Sequence, residues 1–148
     1  MRVYLGADHA GFQLKEYVEA SLLALGHEVT DVGTHAEDSV DYPDYAATVG
    51  QAVADGRADA GVLVCGTGLG MAIAANKVEG VRAIQASDPE MAKMSRLHND
   101  ANVITLPGRY ISPERADEVL AAFLGTAFEG GRHQKRIDKI GELEAHDR

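Results

Sequence analysis

The chain contains one cysteine, and it stands where an apolar run meets a glycine-rich turn: Gly61-Val62-Leu63-Val64-Cys65-Gly66-Thr67-Gly68-Leu69-Gly70-Met71. The run predicts a buried strand, and the glycines predict a tight loop that opens into a helix. Glycines let a backbone close around a ligand with its N–H groups turned inward. The first turn of a helix adds unpaired N–H donors and a partial positive charge. A thiol placed there can be activated as a thiolate base, and an oxyanion formed beside it is stabilised. Position alone leaves Cys65 equally readable as a small buried core residue. The glycine loop tips the balance toward chemistry, because it costs backbone entropy that a plain strand-to-helix turn does not need.

Other polar residues gather at predicted chain reversals. Asp8 and His9 follow the first apolar run, where a helix N-cap with a solvated neighbour is the plain reading. His98 and Asn99 end a helical pattern, and a histidine at a helix C-terminus is favoured by the dipole without any catalysis. Arg132 and Arg136 share a helix face and, with His133 and Lys135, form the one concentrated basic patch of the chain. A solvated helix surface explains such a run, and so does a phosphate clamp, since guanidinium forks match phosphate oxygens. Arg109, after Pro107-Gly108, is expected at the same ligand-binding edge and could join them.

Two rival chemistries are weaker. Gly66, Gly68 and Gly70 resemble a dinucleotide fingerprint superficially, with Asp88 as an imitation of the ribose-binding acid, but Met71 stands where the pattern needs its last glycine. A metal site is not expected: the histidines are scattered and no cysteine–histidine spacing fits zinc.

The elements that must position these residues follow from periodicity. Val3–Leu5, Glu28–Val32, Gly61–Cys65, Val81–Gln85 and Asn102–Leu106 read as strands. Between them lie helical patterns. Phe12–Leu25 carries Leu14, Val18, Leu22 and Leu25 on one stripe and stops at Gly26. Pro43–Asp55 starts with proline in its first turn, and Asp88-Pro89-Glu90 and Ser112-Pro113-Glu114 each pair a capping side chain with such a proline. This alternation predicts an α/β fold: one Rossmann-like, doubly wound parallel sheet of about five strands, with helices on both faces. Ligands of such sheets bind outside the carboxyl ends of the strands, where Cys65 and Asp8 both fall. A C-terminal helical tail over about 131–146, with Ile137, Ile140 and Leu143 on one side, is expected to pack on its own domain or on a second subunit.

At 148 residues, 45% of them apolar and 25% charged, the chain fits a single soluble domain spanning 1–148. No membrane span or signal peptide is expected, and a lone cysteine suits a reducing cytoplasm. The net charge of −9 argues against nucleic acid as a partner.

Taken together, these segments strongly resemble the type B ribose-5-phosphate isomerases, a family shared with the subunits of galactose-6-phosphate isomerase. The matching stretches are Gly6–Gly11, Asp41-Tyr42-Pro43, Cys65–Gly70, Ala74–Lys77, Ser95–Asn102 and Gly130–Gln134, in order along nearly the whole chain. The resemblance implies a cofactor-free, metal-free aldose–ketose isomerase that works through an enediolate. Carried over by position, Cys65 is the base, and the loop N–H groups from Gly66 through Gly68 and Leu69 to Gly70 hold the enediolate, with Thr67 beside it. His98 helps open the furanose ring, Asp8 and Asn99 hold substrate hydroxyls, Tyr42 lines the substrate site, and His9, Arg109, Arg132 and Arg136 grip the phosphate. One branch of the family uses a glutamate in the glycine loop instead, but Gly66–Ala75 holds no carboxylate here.

The resemblance also implies a homodimer or dimer of dimers whose sites take residues from two chains. Ribose 5-phosphate is the expected substrate. Allose 6-phosphate, galactose 6-phosphate or a tetrose 4-phosphate is the alternative, and a non-catalytic nucleotide-binding module is a more distant one.

Overall fold

The central strands of the computed structural model, which describes residues 1–145, are short apolar runs buried by helices. The strands are β1 (Arg2–Ala7), β2 (Glu28–Asp31), β3 (Ala60–Cys65), β4 (Ala83–Gln85) and β5 (Val103–Pro107). All pair in parallel, in the order β2-β1-β3-β5-β4. The central strands β3 and β5 are buried at every residue, which is why they read as continuous Val/Leu/Ile runs rather than alternating ones.

The helices are α1 (Phe12–Ala24), α2 (Tyr42–Ala54), α3 (Leu69–Ala75), α4 (Pro89–Asn99), α5 (Pro113–Gly125) and α6 (Arg132–Ala145). One face of the sheet is covered by α1, α4 and α5, through Leu14, Val18, Leu22, Ala92, Val119, Leu120 and Phe123. The other is covered by α2 and α3, through Ala46, Val49, Met71 and Ala75, and Cys65 belongs to this second core. The doubly wound sheet is therefore present as expected. The end of the predicted tail, at residue 146, lies outside the described residues.

Local signals act where the sequence places them. Asp88 Oδ1 accepts from the Met91 N–H at 2.9 Å and Ser112 Oγ from the Arg115 N–H at 3.1 Å, so both are true N-caps. Gly26 reverses the chain after α1 at φ +88°. Three expectations shift. Leu25 is 69% exposed rather than part of the α1 stripe, because the helix ends before it. Along α6 only Ile137 of the apolar series is buried, leaving Ile140 and Leu143 outside. β4 begins at Ala83, two residues later than its apolar run, since the Val81 N–H closes a turn on the Val78 carbonyl and the Arg82 N–H goes to the Asn102 side chain.

Behind the sheet, the wholly buried Lys15 ammonium contacts Asp31 at 2.5 Å and Glu16 at 2.7 Å. Asp31 also accepts from the Gly33 N–H, and Gly33 and Thr34 exchange backbone bonds with Ala7. A buried cation thus fixes the segment that flanks Asp8.

Candidate active site

The carboxyl ends of β1, β3 and β5 meet almost backbone to backbone. A Cβ on Gly11 would fall 2.3 Å from the Val64 carbonyl oxygen, which leaves no room for a side chain, and one on Gly108 would press on main chain at 3.2 Å from that of Cys65. The Asp8 N–H donates to the Val64 carbonyl and the Gly108 N–H to that of Cys65. Onto this floor the sequence places its polar groups. Asp8, nearly buried, accepts from the Ala10 and Gly11 N–H groups at 3.0 and 3.1 Å. It therefore shapes the turn before α1 rather than capping the helix, whose N-cap is Gly11. His9 Nδ1 accepts from the Val40 N–H at 3.2 Å, which leaves the ring proton on Nε2.

Cys65, 5% exposed, ends β3, and the Gly68 N–H donates to its Sγ at 3.2 Å. That bond exists because Gly68 is left-handed, at φ +75°, which turns its N–H toward the sulfur. The loop is fixed from below: Thr105 Oγ1 donates to the Gly68 carbonyl at 2.6 Å, and Gln85 Nε2 to that of Thr67 at 3.1 Å. Thr67 Oγ1 accepts from the Leu69 N–H, which opens α3. The Tyr42 ring lies over Gly70, where a Cβ would come within 2.5 Å of it, and the Arg109 guanidinium lies beside Gly66. So Asp8, His9, Tyr42, Cys65, the loop from Gly66 to Gly70 and Arg109 all share one edge of the sheet.

His98, Asn99, Arg132 and Arg136 do not. In this winding α4 runs back against the strands, so its last turn lies at their amino ends. Arg82, just before β4, donates to the carbonyls of Asn99 and Asp100, and Asn102, just before β5, accepts the Arg82 N–H. Asp100, left-handed at φ +45°, is held between Arg82 and Arg96. The length of β5 alone, about 13 Å, separates this turn from Cys65. Here Arg109 does not join Arg132 and Arg136 within one chain.

A second polar cluster forms at that amino edge. The His98 and His133 rings stack with centroids 4.3 Å apart and planes 17° from parallel. Glu129 Oε2 lies 3.9 Å from His98 Nε2 and 3.5 Å from His133 Nε2. Burial, reinforced by His98 and Arg132, holds the His133 imidazole below its ordinary pKa. Sequence reasoning counted His133 only as part of a basic patch and passed over Glu129, since their relation to His98 spans a helix, a loop and a reversal. Ligand atoms of these three residues lie within 4.8 Å of one another. The nearly parallel rings aim their lone pairs side by side rather than at one point, and Arg132 and Arg136 add positive charge, so the set suits a metal ion poorly. A groove of about 410 Å³ continues from Asn99 between β4 and the outer side of Ile140 and Leu143.

The dinucleotide reading loses its footing. Met71 is wholly buried under the loop, and Asp88 is occupied as a helix cap.

Known proteins resemble this chain along nearly its whole length. The profile of the ribose/galactose isomerase family matches residues 3–140. Ribose-5-phosphate isomerase B of Escherichia coli K12 is 46% identical over 143 residues, covering 97% of this chain and 96% of that one. A solved ribose 5-phosphate isomerase from Thermotoga maritima is 52% identical and superposes with a TM-score of 0.94, over 95% of this chain and 97% of that one. The Mycoplasma genitalium ribose-5-phosphate isomerase B, solved with bound ribulose-5-phosphate, is 38% identical with a TM-score of 0.93, over 97% and 96% of the two chains.

Proposed function

The chain belongs to the ribose/galactose isomerase family, and on that basis we propose that it interconverts ribose 5-phosphate and ribulose 5-phosphate through an enediolate, with Cys65 as the base. The observation that carries this reading is the Gly68 N–H aimed at Cys65 Sγ on the ligand-binding edge of the sheet.

In the forward direction the furanose first opens, with His98 passing protons at the ring. The Cys65 thiolate then takes the proton from C2, and the electron pair moves into the C1 carbonyl to give the enediolate. Loop N–H groups from Gly66 to Gly70 carry its charge, with Thr67 alongside. The thiol returns the proton to C1 while the hydroxyl proton passes from O2 to O1, leaving the ketose. Asp8 and Asn99 hold hydroxyls, Tyr42 walls the site over Gly70, and His9, Arg109, Arg132 and Arg136 hold the phosphate.

Because these residues occupy opposite edges of one chain, His98, Asn99, Arg132 and Arg136 are supplied by a second copy. Apolar side chains flank both half-sites: Leu69 and Ile73 are 56% and 65% exposed on α3, and Ile140 and Leu143 are 44% and 66% exposed on α6. Such paired patches are what a homodimer interface would cover. No helix among the described residues is long and apolar enough to cross a membrane. The lone thiol suits a reducing cytoplasm.

The test is turnover of ribose 5-phosphate in EDTA by the native protein and by Cys65→Ala. Native turnover with a loss of at least ~10²-fold in the variant is expected for removal of a general base. Turnover that survives the substitution assigns the base elsewhere. The family spans ribose and galactose substrates, so kcat/KM for six- and four-carbon phosphates decides chain length.

A further inference from the structure

We infer that Glu129 is a positioning residue for ring opening: its carboxylate, set between the Nε2 atoms of His98 and His133, holds the stacked imidazole pair in the orientation His98 needs to serve the furanose. This rests on the assignment of ring opening to His98 proposed above.

The placement is built, not incidental. The loop between α5 and α6 is stitched to the last turn of α4 before Glu129 and at Glu129 itself: Arg96 Nε donates to the Thr126 carbonyl at 3.0 Å, and the Glu129 N–H donates to that of Leu97 at 3.2 Å. Glu129 is therefore tied by its own backbone to the residue before His98. Gly130 and Gly131 are both left-handed, at φ +73° and +60°, and this double reversal lets His133 fold back over the His98 ring. His133 is 5% exposed, so its ring cannot swing away, and the half-exposed His98 ring gains a fixed neighbour on one face. An anion within 4 Å of both nitrogens selects the orientation in which those nitrogens face it. Second-layer carboxylates orient histidines in this way elsewhere in protein chemistry. Glu129 itself is mostly exposed, so its role is local and does not support the core.

The chemistry of the two sugars separates this role from a general one. Ribose 5-phosphate is mostly a furanose, closed through O4, and must be opened. Ribulose 5-phosphate has its O5 esterified and no hydroxyl placed to close a five-membered ring on C2, so it enters the site already open. Loss of a group that serves only ring opening should therefore slow interconversion of the two sugars while sparing the proton transfer at C1 of the bound ketose.

The experiment measures initial rates in both directions for the native enzyme, Glu129→Gln and Glu129→Ala. Removing a positioned acid–base group costs on the order of 10²–10⁴-fold, and removing what orients it should cost less, about 10-fold or more in kcat/KM for ribose 5-phosphate and, through the fixed equilibrium constant, the same factor in reverse. Exchange of the ribulose 5-phosphate C1 hydrogen with deuterated solvent, which needs the enediolate but no ring, should stay within about 3-fold of native in both variants, well inside the loss expected for a lost acid–base group. With excess variant, the forward rate should stop rising with enzyme and settle at the spontaneous opening rate of the sugar. Loss of that exchange in step with turnover, or no loss of turnover, overturns the role of Glu129. A native enzyme that turns over neither sugar instead overturns the function on which it rests.

Discussion

Single side chains divide the proposed chemistry by when they act. As the proposed base, Cys65 would touch the proton in flight, so its removal should appear in kcat while substrate still binds. Arg136 would hold the phosphate equally before and during reaction, so Arg136→Ala should raise KM and leave kcat within about 3-fold, as expected for uniform binding. A kcat loss without a KM change would give Arg136 a different task. Cys65 was legible in the sequence because thiol, glycines and helix start are contiguous. Glu129 and His133 were not, because what matters is their distance to His98, and that is set by two left-handed glycines and a docked loop.

At the scale of elements, α4 carries a proposed catalytic turn at one end and a cap at the other. Asp88→Ala removes the bond to the Met91 N–H, and a drop of about 1 kcal/mol in stability is expected by denaturant unfolding, with little effect on KM. Caps, proline starts and the Gly26 stop were readable because they act within one turn of chain. The exposure of Leu25, Ile140 and Leu143 was not, since periodicity marks an apolar stripe without saying where the helix ends or what covers it. The same limit hid the Arg82–Asp100–Arg96 clamp, in which an arginine one turn back and another from before β4 hold one left-handed aspartate.

The whole molecule sets its two polar clusters at opposite edges of one sheet, a relation that follows from the direction of α4 rather than from any motif. Mixing Cys65→Ala with His98→Asn tests it directly. If each site draws on two chains, random exchange should restore about a quarter of native activity, since half of the dimers are mixed and each of those has one intact site. No recovery would place each site within a single chain. The Lys15–Asp31 pair makes a stability prediction at the same scale. Burial raises Asp31, but hydrogen bonds from Lys15, Glu19 and Gly33 outweigh it and hold the carboxyl below its usual range. Burial likewise lowers Lys15, and its bonds to Asp31 and Glu16 outweigh that and leave it raised. A depressed acid stabilises above its unfolded pKa and a raised lysine below its own, so the pair contributes between roughly pH 4 and pH 10 and fades outside that window. Lys15→Met should cost on the order of 2 kcal/mol near neutrality, less than a fully buried pair because Asp31 keeps some solvent, and should flatten the acid limb of a Tm–pH curve.

The floor beneath Cys65 has a consequence for how such an enzyme changes its diet. Gly11 leaves no space above main-chain atoms and Gly108 leaves little, and the space at Gly70 is taken by Tyr42, so that floor offers evolution little to enlarge or shrink. A lineage that moved to a longer or shorter sugar would keep this mould and vary its lid. Substrate length would then drift through Tyr42, His9 and the far-edge arginines, while the apparatus for moving the proton stayed as it was.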